Sequence, residues 1–446
     1  MRAHAVSRVA VLGAVLAAAP LRAQVTAVPD DGARPISLAE AVQMAQRNAP
    51  GVVQARGLER NASASYRAVI GSYMPTFNMN ASTGRTQGVQ FFQGQLIPIT
   101  GNPWNYNNGL NTQIELFDGG RRWSELNRAR ASTDVADAST IQARFDAALQ
   151  VKQQYYAALA AHESESAAKA QLEQAEQQLK ASTARVAAGV ATKSDSLRSA
   201  IQVGNAQLAV LTAQNDLRVA NAALTRFVGS TTTVTASLTD TAETLGALPT
   251  EAELEALVNR GPDVQLAEAT YAAARAGRKA QRSQYLPTLS MSYLYTFTQG
   301  SRRFEGRNIF LIGGDNPNRQ NMTFNFSYPL FNGFQREQQT VQADVALRNA
   351  EAQLRDARLA ARQTLTQQVR ALQNAQARVE VQLAAIAAAE EDLRVQQQRY
   401  ALGASTLLDL LTSQTQLNQA RQALIQARLD GRIARAQLSA LVGREL

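Results

Sequence analysis

The sequence predicts a mainly α, internally duplicated fold in which each copy joins a β-hairpin to long packed helices. Three observations carry this. Glycine-centred segments recur at a fixed offset, since Arg185-Val186-Ala187-Ala188-Gly189-Val190 and Arg399-Tyr400-Ala401-Leu402-Gly403-Ala404 lie 214 residues apart. The hydrophobic period switches in each copy from helical to alternating and back. Two stretches of roughly 68 residues contain no proline, which leaves room for very long helices.

The offset holds beyond the glycines. Leu116-Phe117-Asp118-Gly119 matches Leu330-Phe331-Asn332-Gly333, Asp195 matches Asp409, and Val228-Gly229 matches Val442-Gly443. Tyr73-Met74-Pro75-Thr76 matches Tyr285-Leu286-Pro287-Thr288 at 212, so the loop inside the hairpin differs by two residues. The expected organisation is a first repeat over 24–229, a connector over 230–249 and a second repeat over 250–446.

Residues 1–23 read as a signal peptide: Arg2 and Arg8 precede the apolar run Val9–Ala19, and Ala23 is a small residue suited to cleavage. That run is too short to span a bilayer as a helix. With no cysteine, disulfides, cysteine-ligated metals and a lipid-accepting N-terminal cysteine are excluded. Of the net charge of +9, three units belong to Arg2, Arg8 and Arg22, leaving +6. The arginines are spread among Gln and Glu rather than clustered with aromatics, so they read as solvated helix faces and no nucleic-acid partner is expected.

Within each copy, 37–73 and 250–285 read as helices opened by capping boxes, Ser37 with Glu40 and Thr250 with Glu253. Pro75 and Pro287 end them. Alternation follows. Leu289, Met291, Tyr293, Tyr295 and Phe297 interleave with Thr and Ser, and Met322, Phe324, Phe326 and Tyr328 with Asn, Thr and Ser; Phe77, Met79, Leu110, Ile114 and Leu116 repeat this more weakly in the first copy. The hairpins are placed at about 76–117 and 288–330, with strands of the length a tilted membrane-spanning strand needs. Four strands cannot close a barrel, so spanning strands require either two or three protomers.

After Asp118-Gly119-Gly120 and Asn332-Gly333 come the proline-free stretches, ~100 Å long if helical. A second helix follows each, from Thr192 or Thr406. Ala206, Ala213 and Ala220 recur every seven residues, as do Ala420, Ala427 and Ala434 beside Leu410, Leu417 and Leu424, which predicts closely packed antiparallel coiled-coil hairpins with tips at 185–195 and 399–409.

Taken in order, Tyr328-Pro329-Leu330-Phe331-Asn332-Gly333, Leu116-Phe117-Asp118-Gly119-Gly120, Tyr400-Ala401-Leu402-Gly403 leading to Asp409-Leu410-Leu411, and the duplication itself resemble the TolC-like outer-membrane efflux proteins over the mature chain. The resemblance implies a homotrimer whose twelve strands form one barrel in outer-membrane lipid, continuous with a periplasmic α-helical barrel, in a Gram-negative-type cell. It also implies an exit duct of a tripartite efflux or type I secretion system, with a periplasmic adaptor (membrane fusion) protein and an inner-membrane transporter as partners and no cofactor of its own.

The resemblance marks the tips as the adaptor-facing and duct-closing ends. Val186, Gly189, Val190, Leu402, Gly403 and Ala404 are the adaptor-contact candidates, and Tyr400 and Asp409 the aperture candidates. Each has a simpler role beside it. Gly189 and Gly403 suit helix C-caps; Thr192 with Asp195, and Thr406 with Asp409, suit N-caps. The family pattern places a basic gate residue at Ser405 and a second acid at Thr412, and this sequence has neither.

Chemistry elsewhere is sparse. Thr192-Lys193-Ser194 matches only the end of a P-loop, without its glycines. His162, the one histidine after the leader, lacks metal-ligating partners at helical spacing, and nothing groups as an active site; neither an enzyme nor a metal site is expected. The rival readings are a periplasmic coiled-coil scaffold or adaptor without a pore, which needs no apolar strand face, and an exported enzyme on a helical scaffold.

Overall fold

The computed structural model describes residues 33–85, 87–92, 94–98, 104–237, 249–299 and 318–446. The expected leader at 1–23 and most of the connector lie outside the described residues. The first copy runs β1 (Arg34–Ile36), α1 (Leu38–Asn48), α2 (Pro50–Gly71), β2 (Thr76–Arg85), β3 (Val89–Phe92), β4 (Gln95–Pro98), β5 (Trp104–Phe117), α3 (Arg121–Ala187) and α4 (Lys193–Val228). Then come β6 (Val234–Ala236), α5 (Glu251–Val258), α6 (Pro262–Arg282), β7 (Thr288–Gln299), β8 (Asn318–Ser327), α7 (Gln335–Ala401) and α8 (Leu407–Val442).

The two long helices have 67 residues each and the two shorter partners 36 each, and all four begin and end at the 214-residue offset. Ala206, Leu410, Leu417, Leu424, Ala427 and Ala434 are buried in the seams between them, where small side chains let helices approach closely.

Three features differ from the sequence expectation. The stretches 37–73 and 250–285 are not single helices: each breaks where Pro50 or Pro262 takes the first position of a new helix, because proline suits N1 but cannot accept the turn before it. The connector contributes β6, which pairs in parallel with β1 and is locked there by Tyr155, whose hydroxyl donates to the Ile36 carbonyl at 3.1 Å and accepts from the Ser237 amide at 3.1 Å. A short extra hairpin, β3 with β4, sits between β2 and β5.

The two long hairpins merge into one antiparallel sheet of order β2-β5-β7-β8. Directly paired residues share a face, and the register aligns Met79 with Leu110, Ile114 with Met291, Tyr293 with Met322 and Met291 with Phe324. One apolar face therefore runs across all four strands. Opposite it, Asn78 pairs with Asn111, Gln113 with Ser292 and Ser292 with Thr323.

Strand passes to long helix through two consecutive left-handed residues: Gly119 and Gly120 at φ +65° and +77°, then Gly333 and Phe334 at +67° and +63°. Phe334 stands where the first copy has glycine, at a cost of ~1–2 kcal/mol. Asp118 stabilises the first turn, accepting from the amides of Gly120 and Arg122 at 3.1 and 2.8 Å.

Candidate functional site: the hairpin tips and the open flanks

The tips are built by matched caps. Each long helix ends in a two-bond left-handed glycine cap: the Gly189 amide donates to Val186 and the Val190 amide to Arg185, while Gly403 and Ala404 donate to Tyr400 and Arg399. Gly189 and Gly403 have φ +74° and +76°, a geometry that side chains resist. Thr192 and Thr406 then open α4 and α8. Asp195 accepts from the Thr192 amide at 3.1 Å and Asp409 from the Thr406 amide at 2.9 Å, and each carboxylate also takes the threonine hydroxyl.

Between these caps the adaptor-contact candidates differ in access. Val190 and Leu402 are 65% and 85% exposed, whereas Val186 is half-buried and Gly189, Gly403 and Ala404 are exposed main-chain turns. Asp409 is exposed, and the Thr406 hydrogen bonds, side chain first, hold its carboxyl below the usual carboxylate range. Ser405 and Thr412 add no charge; the Thr412 hydroxyl donates to the Leu408 carbonyl of its own helix.

Tyr400 is only 9% exposed. The Arg185 guanidinium lies over its ring at 4.6 Å, and Arg185 Nη1 donates to the carbonyls of Tyr400 at 2.7 Å and Ala401 at 3.2 Å. These carbonyls belong to the last turn of α7, where intrahelical donors run out and the helix dipole favours a cation. Burial raises the Tyr400 phenol pKa, Arg185 opposing. Arg185 is thus a link between the two tips that sequence reasoning used only as a repeat marker. The available signal was an arginine four residues before the tip glycine in both copies.

The second candidate surface is what each layer leaves open. The strands form an arc β2-β5-β7-β8, the helices near the sheet pack α2-α3-α6-α7, and the helices near the tips pack α4-α3-α8-α7. In every layer the first copy supplies one flank and the second copy the other. Leu197, Ile201, Leu208 and Leu211 of α4, and Val341, Val345, Leu359 and Val381 of α7, are exposed. Both flanking helices thus carry exposed apolar side chains.

No group of three or more His, Asp or Glu side chains able to hold a metal occurs among the described residues, and His162 lies half-buried on α3. No described helix is long and apolar enough to cross a membrane.

A family model described as Outer membrane efflux protein matches residues 41–230 and 254–444, once per copy. The chain is 27% identical over 206 residues to the cobalt-zinc-cadmium resistance protein CzcC of Cupriavidus metallidurans, covering 46% of this chain and 47% of that protein. It is 25% identical over 319 residues to the outer membrane protein TolC of Salmonella enteritidis, covering 70% and 64%. The match thus spans about half the length of the first relative and under two thirds of the second. Among solved structures, the open state of the Neisseria gonorrhoeae MtrE outer membrane channel superposes with a TM-score of 0.76 at 20% identity, covering 92% of this chain and 89% of that one.

Proposed function

This chain belongs to the outer membrane efflux protein family, and on that premise we propose that it is one protomer of a trimeric outer-membrane exit duct that conducts substrate passively. The observation that carries the reading is the open arc. Each of the three layers described above, one of strands and two of helices, has four elements and, among the described residues, two unpaired flanks. A four-stranded sheet with one apolar face can sit in lipid only if its edges are paired with other chains. Flanks that differ at the two ends call for head-to-tail contacts, which give a ring where the rotation between protomers closes. Two protomers would give eight strands and three would give twelve; family membership favours three.

The 67-residue helices would carry the duct ~100 Å below the sheet. At the tips, Val190 and Leu402 with Val186, Gly189, Gly403 and Ala404 form the surface for a periplasmic adaptor, which in turn joins an inner-membrane transporter. On this reading Tyr400 and Asp409 belong to the aperture, where one Asp409 from each protomer would form a carboxylate ring attractive to cations.

Mass measurement of the detergent-solubilised protein and planar-bilayer recording test the reading. A trimer with stable single-channel conductance is expected. A monomer soluble without detergent and without conductance would favour the pore-free scaffold or adaptor instead.

A further inference from the structure

Arg185 and Arg399 are the same position of the repeat, yet the protomer treats them differently. Arg185 is half-buried and clasps the end of α7. Arg399 is exposed and stays within its own tip, with Nη2 3.4 Å from the Ala404 carbonyl and the Asp409 carboxylate close enough to attract it electrostatically. The duplication supplies a reason. Inside the chain the first copy meets the second through β5 with β7, α3 with α6 and α3 with α8. Advancing each pair by one copy sets β8 against β2, α7 against α2 and α7 against α4 of a neighbouring protomer, and these are the flanks left open.

The sheet register supports this. Advanced by the repeat offsets, the Thr112–Tyr293 pair becomes Phe326 opposite Ala81 of the next protomer, and the Ile114–Met291 pair becomes Tyr328 opposite its Met79. The apolar face continues across the seam, whereas a one-residue slip would invert it.

We propose that Arg399 clasps the first tip of the next protomer, donating to the main-chain carbonyls of its Val186 and Ala187 as Arg185 donates to Tyr400 and Ala401. This rests on the ring assembly proposed above. Clasps within and between protomers then alternate around the closed tip. They are unequal: Tyr400 gives the internal clasp an aromatic face for the guanidinium, and Val186 gives the seam none. The tip parts first between protomers, at the clasp that lacks the ring.

The chain has no cysteine, so introduced pairs report cleanly. Arg399→Cys with Ala187→Cys, treated with a short bifunctional thiol reagent because arginine's reach exceeds disulfide geometry, is expected to give covalent dimers and trimers on denaturing gels. Arg185→Cys with Ala401→Cys should crosslink within one chain only. Light scattering on the same preparations separates the failures. A trimer whose Arg399/Ala187 pair stays monomeric while the Arg185/Ala401 pair crosslinks overturns the clasp. Absence of any trimer overturns the ring reading and the clasp with it. Arg399→Ala should raise single-channel conductance and Val186→Tyr should lower it; no shift in either would show that the contact does not hold the tip shut.

Discussion

Gly119 and Gly333 occupy the same turn in the two copies, at φ +65° and +67°, but only the first is walled in. A Cβ on Gly119 would meet Leu286 Cβ at 2.4 Å and the Ser283 carbonyl at 3.1 Å, whereas one on Gly333 would meet nothing within 4 Å. The tips differ too. Leu393, Tyr400, Leu407, Leu410 and Leu417 form an apolar cluster in the second copy; the first copy has Leu179, Val186, Lys193, Ser196 and Val203 at those positions. The apolar residues of the first tip, Leu197 and Ile201, point outward instead. Equal backbones thus carry different surroundings because the second copy's flank on α7 and the first copy's flank on α4 find no partner inside one chain.

The largest expected effect follows from the turn. Gly119→Ala adds left-handed strain to a collision with the Leu286 Cβ and should cost roughly 2–5 kcal/mol, read as a large fall in thermal midpoint. Gly333→Ala should cost the protomer only ~1–2 kcal/mol. If the flanks meet as proposed, Gly333→Ala should also reduce the trimer fraction, because Met74 of the next protomer stands where Leu286 stands for Gly119. Equal destabilisation by both variants, with trimer intact, would erase the distinction between walled and open turns.

Leu410, 1% exposed, sharpens the contrast between the tips. Leu410→Ala should cost ~2–3 kcal/mol, at the low end because a helix tip can relax. Ser196→Ala, at the matching position, should stay within about 0.5 kcal/mol. Hydrogen exchange should accordingly run faster around 186–200 than around 400–414, and the reverse order would contradict the packing.

Much of this was legible in the sequence, for a reason the helices make plain. A duplication states each boundary twice, so Gly189 and Gly403 marked the tips and alternation at 288–298 and 321–328 marked the strands. What escaped depended on contacts distant in sequence. Three residues each at β1 and β6 are too few to show a period, and it is their parallel pairing, locked by Tyr155, that makes them a unit. The pairing of β5 with β7 joins the two copies, and no local pattern specifies it. Arg185 was visible as a residue but not as a link, because the relative height of α3 and α7 is set through their shared neighbours α6 and α8. The breaks at Pro50 and Pro262 were readable from proline chemistry, yet the apolar periodicity continues through both and hid them.

Charge at the two tips gives the next comparison. Asp195 and Asp409 make the same cap, so Asp195→Asn and Asp409→Asn should weaken their helices alike. Only Asp409 is assigned to the aperture, and only Asp409→Asn should reduce cation selectivity in bilayer recordings. Matching losses of selectivity in both variants would remove the assignment of the gate to the second copy.

The smallest effect is in pH. The Asp409 carboxyl is held low chiefly by the Thr406 hydrogen bonds, so the folded state prefers it ionised. Such a group stabilises the fold above its unfolded pKa, and the contribution disappears as pH falls through the lower folded value. Asp146 on α3 behaves oppositely: burial first, and Asp263 second, raise its pKa. The folded chain then prefers that carboxyl protonated, and ionisation destabilises it as pH rises from the unfolded value through the folded one. Asp146→Asn should therefore raise the thermal midpoint slightly at neutral pH and lose that advantage in acid, while Asp409→Asn should lower it at neutral pH and converge on the parent in acid. Each variant is a control for the other, since a general change in net charge would move both midpoints in the same direction.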